Sequence, residues 1–414
     1  MLIVNLEEAQ AGMILAAPVA HPENPQHDLL KRGYCIEESI LPRLRDMGVN
    51  HLYVDYPALN ELDRHLAPQL SPVRQQIYRQ IREAMGRVEA LMSAGVSYSD
   101  YHACTHSMLL TILSQGTHPI YMERVSGLGR DAVAHATTVA HLALVIGLRL
   151  EAYLVQQRAR LSAHHAREVV NLGVAGMLHD IGKMRLPAEL RERCEVDAPC
   201  AGALDDAKAR GEWESHARIG YDLVRSGVES SAAAAVLHHH QHFDGTGFPG
   251  AAATRGPGGF GKPAVRDASP PKGRDIHVFA RILFVADLYA NLVRPPGTNI
   301  RRGNLEVLHL MRTRYAASMD PTIFRTLEAV APPFMPGSKV VLGDRTTAAI
   351  VRVIPSHPYA PVVRRFKPGG AELDGPCLDL HDRGAPPLVA LAGGQPVAHL
   401  MPGPGRDTAP LRAA

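Results

Sequence analysis

Leu178-His179-Asp180-Ile181-Gly182-Lys183 follows an apolar run over 169–177. Adjacent side chains on a helix of 3.6 residues per turn point roughly 100° apart. His179 and Asp180 can therefore serve one metal cluster only if Asp180 bridges two ions or the helix ends there. Gly182 supports an ending, since glycine is the usual residue just past a helix C-terminus. Four further segments carry imidazole or carboxylate in a region with helical periodicity. Asp131 and His135 are four apart and share a helix face. His216 precedes Gly220, and His238-His239-His240-Gln241-His242 runs into the Gly-rich Phe243-Asp244-Gly245-Thr246-Gly247-Phe248-Pro249. Asp287 ends the apolar turn that starts at Arg281. Packing does not account for such an acid, because burying an unpaired carboxylate is costly.

The 414 residues leave room for two or three domains, and 46% hydrophobic with 21% charged residues is ordinary globular usage. Forty-four Lys and Arg against 41 Asp and Glu give +3, too balanced for a nucleic-acid-binding surface. No stretch approaches the ~18 continuous apolar residues of a membrane span. The N-terminus lacks the basic region of a signal peptide. The five cysteines are odd in number and form no Cys-x-x-Cys pair, which fits a reducing cytoplasm and argues against a disulfide framework or a thiolate zinc site. With 22 histidines, any bound metal is held by imidazole and carboxylate.

Short apolar runs broken by Gly and Pro predict a β-rich module over 1–65, with a helix around 40–47. Apolar spacings of three and four (Ile77, Ile81, Met85, Val88, Leu91) predict linking helices over 72–122. The Met85, Leu91 and Met92 stripe reads as core or a homodimer seam. Helices then dominate to about 330, interrupted by 251–275, whose five Gly, four Pro and five Lys or Arg predict a mobile basic loop. Strands are expected at 339–342, 348–354 and 361–366, in a small barrel-like module over 333–402 before a frayed tail, 403–414. The fold class is mainly α, a helical bundle between two small β modules.

The order of these motifs (a helical His, HDIGK, HxxxG, HHxxxxDGxGFP, RxxxxAD) resembles the HD-GYP family of HD-superfamily phosphohydrolases across 123–330. Residues 1–65 resemble the DUF3391-like module found in some members. The resemblance implies an HD-type bundle that hydrolyses cyclic di-GMP to pGpG or GMP with two or three divalent metals, often iron or manganese. It implies His135, His179, Asp180 and Asp287 as the HD metal core, with Asp180 bridging and catalytic. His216, His239 and His240 then complete the second metal, and Asp131 supplies the third-metal carboxylate. Lys183 is implied as a catalytic, phosphate-facing lysine, and Gly245, Gly247, Phe248, Pro249 and Arg294 as substrate-binding. Diguanylate-cyclase-type or other signalling proteins are the implied partners.

Several positions depart from the family. Phe248 replaces its Tyr, Gln241 the acid after the His pair, and Asp131 a Glu. Ala290 and Pro296 stand where a second Asp and an Arg are usual. Arg294, Arg301 and Arg302 lie nearby, and Arg294-Pro295 resembles the family's Arg-Pro pair after a two-residue deletion. The alternatives are a catalytically silent cyclic-dinucleotide sensor or scaffold, and an HD hydrolase for another phosphoester. His238 and His242 read as bystanders, and His141, six residues after His135, as exposed.

Overall fold

The computed structural model describes residues 1–20, 28–49, 51–59, 98–114, 132–191, 193, 207–250, 270–295, 302–368, 372–391 and 394–402. Asp131 and most of the basic loop, 251–269, lie outside the described residues, as do 60–97 and the tail from 403.

The chain begins with β1 (Leu2–Asn5), β2 (Val19–Ala20), β3 (Asp28–Leu30), α1 (Ile40–Asp46) and β4 (His51–Val54). β1 pairs antiparallel with β4, Leu2 opposite Val54, and β2 pairs with β3. The helices follow: α2 (Tyr98–Ser114), α3 (Ala132–Arg149), α4 (Glu151–Gln157), α5 (Ala163–Ala166), α6 (Val170–Leu178), α7 (Ala188–Arg191), α8 (Ala207–Val224), α9 (Ser230–His238), α10 (Val278–Val293), α11 (Asn304–Arg314) and α12 (Pro321–Val330). A 3-10 turn, Ile181–Arg185, follows α6.

At the centre of the bundle α6 packs against α2, α3 and α9, and α10 closes over α3 and α9. α3 is long and apolar enough to cross a membrane, yet 67% of it is buried inside this bundle, where it is a core helix. Its continuous apolar surface corrects the reading of His141, which is buried at 7% exposure rather than free in solvent. α2 also feeds the bundle core through Tyr101, Cys104, Met108 and Ile112. A buried ion pair fastens the far end: Arg281 on α10 donates to Asp320, the N-cap of α12, which also accepts from the Tyr153 hydroxyl of α4.

Five C-terminal strands, β5 (Lys339–Leu342), β6 (Thr347–Arg352), β7 (Val362–Phe366), β8 (Leu373–Asp379) and β9 (Leu388–Leu391), form one antiparallel sheet in the order β8-β7-β6-β5-β9. The sheet is open, with β8 and β9 as its two edges, so the expected barrel-like closure is not found. Closure is unnecessary because both faces are covered. Ala348 and Ile350 of β6 pack with Leu305 and Phe334 toward the bundle. Ala349 and Val351 join Val4, Leu15, Leu52 and Val54 of the N-terminal strands. Ile3 N–H donates to Gly337 O at 2.9 Å, and Lys339 pairs with Glu8. The two β modules foreseen as separate thus share one core across more than 300 residues of chain.

Candidate metal centre

Each donor reaches the centre by a local device. α6 ends at Leu178; His179 caps it, and Asp180 opens the 3-10 turn with backbone angles outside the helical range. That break in direction lets consecutive residues face the same point, as Gly182 had suggested. Two close approaches then bring the elements together. A Cβ at Gly176 would lie 2.7 Å from the Ala140 Cα, so only glycine lets α6 cross α3 there and bring His179 to His135. A Cβ at Gly182 would lie 2.6 Å from the Gly220 nitrogen and collide with the His216 carbonyl. The turn therefore rests backbone to backbone on α8, with Asp180 beside His216.

The resulting geometry divides about Asp180. Its Oδ2 is 3.4 Å from His179 Nε2 and 3.8 Å from His135 Nε2. Its Oδ1 is 3.4 Å from His216 Nε2 and 3.7 Å from His239 Nε2. Asp287 Oδ1 accepts from His135 Nε2 at 2.8 Å and lies 3.6 Å from His179 Nε2. Two sets of donors, each within 4.8 Å of one another, result: His135, His179 and Asp180, and Asp180, His216, His239 and His240. Asp180 belongs to both. His179, His216, His239 and His240 are at most 3% exposed.

The buried imidazoles are aimed from behind. His179 Nδ1 lies 2.8 Å from Gly176 O, His216 Nδ1 2.6 Å from Trp213 O, and His239 Nδ1 2.7 Å from Val236 O. A carbonyl only accepts, so each Nδ1 carries a proton and each Nε2 faces the centre. This backing is the usual one for metal-binding histidines. Asn291, one turn beyond Asp287, donates Nδ2–H to Asp287 Oδ1 at 2.9 Å. Within the described residues, His179 Nε2 and Asp180 Oδ1 are buried and make no hydrogen bond. Buried polar atoms left so are rare and call for a partner. Divalent metal fits this donor set of imidazole and carboxylate without thiolate.

Electrostatics agree. Burial would raise Asp180, but Lys183 and His179 hold its carboxyl well below the usual range. Asp287 is likewise held low against its burial by the hydrogen bond from His135 and by His179 beside it. Burial would lower His179, yet Asp180 and Asp287 push it up to about 10. His216 is driven well below its ordinary value by burial and Lys183, and His239 to about 4 by burial and His240. His216 and His239 are therefore neutral, as ligands must be. Lys183 donates to Asp180 Oδ2 at 2.7 Å from the rim of the centre.

The loop after α9 presses on the second set. Gly245 has φ +89°, and a Cβ at Gly247 would lie 2.6 Å from the His242 nitrogen and collide with the His240 carbonyl. Phe248, 8% exposed, stacks on His240 with ring centroids 4.5 Å apart, and Pro249 follows it. His238 and His242 turn elsewhere: His238 Nδ1 meets Ala234 O at 3.2 Å, and His242 Nδ1 meets Thr246 Oγ1 at 2.8 Å. Arg294 is the C-cap of α10, seven residues past Asp287. Arg302 closes that helix end by donating to Leu292 O at 2.9 Å. Trp213 and Asn291 were not singled out from the sequence. Asn291 could have been found from its spacing of four from Asp287.

A bundle with a His-Asp pair at a helix end and matching donors on neighbouring helices is the arrangement of an HD domain. Residues 133–292 match the HD domain family. Among solved structures the chain is similar to "Bd1817, a HDG"Y"P protein from Bdellovibrio bacteriovorus", with a TM-score of 0.40 and 13% identity over 80% of this chain and 98% of that one. No curated protein matches the chain.

Proposed function

We propose that the chain is an HD-GYP-type metal-dependent phosphodiesterase that hydrolyses cyclic di-GMP to pGpG or GMP in the bacterial cytoplasm. The observation that carries the reading is Asp180, whose two oxygens face separate sets of imidazoles. His135, His179, Asp180 and Asp287 would hold one ion, and Asp180, His216, His239 and His240 the other. Asp131, four residues before His135 in the sequence, is the candidate carboxylate for a third. Iron or manganese suits these ligands. Such a pair, held by these residues, would supply Lewis acidity and an activated water for cleavage of a phosphodiester.

The remaining steps belong to the side chains. Lys183, at the rim beside Asp180, meets the charge of the phosphate being cleaved. Asn291 keeps Asp287 from rotating away. Gly245, Gly247, Phe248 and Pro249 wall the centre, with Phe248 acting through its ring rather than a hydroxyl. Arg294 takes the second phosphate through its planar guanidinium. A homodimer and a diguanylate-cyclase-type partner are consistent with such signalling.

Anaerobic purification, metal analysis and chromatography of the products from cyclic di-GMP test the reading. Two ions per chain and linear product are expected, and Asp180→Ala should lose at least one ion. Full occupancy in Asp180→Ala overturns the ligand assignment. Phe248, Gln241 and the arginine missing at Pro296 favour one alternative, a silent sensor, which binds the dinucleotide and releases no product.

A further inference from the structure

The chain has one tryptophan, Trp213, three residues before His216 on α8. Its ring is 2% exposed, and its nearest neighbours include parts of the centre. Ring centroids lie 5.0 Å from His216, 5.4 Å from His240 and 5.4 Å from Phe248. The indole N–H donates to Arg193 O at 3.1 Å, which fixes the plane. Lys183 Nζ stands 5.7 Å over the ring. Trp213, Phe248, Leu186, Leu190 and Ala217 form a small core of their own, apart from the main core of the bundle. The two halves of the centre are thus supported differently. His179 is the C-cap of a helix in the main core, whereas His216 and His240 lean on this satellite.

Histidine χ2 is a broad, roughly two-fold torsion, so ring orientation has to be imposed from outside. The Trp213 carbonyl imposes it on His216. His240 has the Phe248 ring nearly parallel to it at 24° and the indole tilted against it at 54°. We propose that Trp213 is a positioning residue for the second half of the centre, its indole and Phe248 together setting the orientation of His240 and bracing His216. This rests on the two-ion reading above. It also explains how an aromatic residue without a hydroxyl serves at 248: what the position supplies is a ring face.

Anaerobic Mn²⁺ titration of the full chain tests the proposal, read by metal stoichiometry and electron paramagnetic resonance. Two ions sharing Asp180 give an exchange-coupled spectrum, and a single ion an uncoupled one. Trp213→Leu keeps the carbonyl and removes the indole. It should retain one ion, lose the coupled spectrum and bind the second ion about 10–100-fold more weakly, the usual effect of losing an outer support. Trp213→Phe should restore coupling in part, and Phe248→Leu should reproduce the defect in milder form. In the parent, Mn²⁺ should quench the fluorescence of the sole tryptophan as the second ion binds. Circular dichroism checks folding; if Trp213→Leu does not fold, Trp213→Phe and Phe248→Leu carry the comparison. Coupled spectra and parental affinity in Trp213→Leu, or in Phe248→Leu, overturn the proposal alone. A parent without a coupled pair overturns the two-ion reading, and this inference with it.

Discussion

Gly182→Ala is the smallest change expected to dismantle the centre. The added methyl would lie 2.6 Å from the Gly220 nitrogen and collide with the His216 carbonyl, both of them backbone atoms of a long helix. Neither can rotate aside, so the 3-10 turn must withdraw by about 1 Å to reach ordinary contact. Overpacking of this kind costs about 1–3 kcal/mol of stability. The larger effect falls on geometry. Asp180 opens that turn, and its Oδ1 stands only 3.4 Å from His216. Functional constellations tolerate about 0.5 Å of displacement, so a shift of about 1 Å parts the bridging carboxylate from the second set. Second-ion affinity should fall by at least about 10–100-fold, while His135, His179 and Asp287 still hold the first. Gly220→Ala is the control, because its Cβ would come no closer than 3.3 Å to a Val236 side-chain carbon and 3.4 Å to the Gly182 nitrogen. Metal analysis after dialysis, beside thermal unfolding, reads both effects. Two tightly held ions in Gly182→Ala, with parental stability, would refute the reasoning.

Phe248→Tyr should change turnover by less than about tenfold, or 1.4 kcal/mol, because the ring acts by stacking; a gain of several hundredfold in steady-state assays would show that the hydroxyl matters. Arg294→Ala should weaken cyclic di-GMP binding by about 1.5–3 kcal/mol with metal content intact. Unchanged affinity by calorimetry, with weakened affinity on deleting 255–274, moves the role to the basic loop. His277 caps α10, accepting from Phe279 N–H at 3.2 Å, and burial together with Arg158 and Arg281 lowers it to about 4. The folded state thus refuses a proton that the unfolded chain takes up near pH 6.5, so stability is full above that pH and drops as pH falls toward 4. The loss from this group is about 3 kcal/mol. Urea unfolding at several pH values should show a shallower decline in His277→Asn, which keeps a cap acceptor; parallel curves would remove His277 from the account.

The donors of the centre were visible in the sequence because chemistry restricts them to imidazole and carboxylate, and their motifs come in a set order. Their supports were hidden for a physical reason. Trp213 matters through rings that sit 27 and 35 residues away, and Gly176 through a crossing with Ala140 on another helix. Contacts between distant segments leave no periodic trace. Periodicity also misplaced His141: a direction away from His135 was read as solvent, although α3 is enclosed on most sides. The open sheet was foreshadowed by Ala348-Ala349-Ile350-Val351, an unbroken apolar run of the kind strands show when both faces are covered. A barrel would need alternation there.

The shared core of the N-terminal strands and the C-terminal sheet makes the helical bundle a cassette spliced into one discontinuous β unit. A nick in the chain after residue 59 would not release the N-terminal fragment, which stays docked through Ile3, Glu8 and Tyr56. Deleting that fragment is a different matter. It strips the cover from Ala349, Val351, Phe366 and Leu373 and leaves an apolar sheet face in water, the usual seed of aggregation. A trimmed version that starts at the bundle therefore has to end before β5 as well.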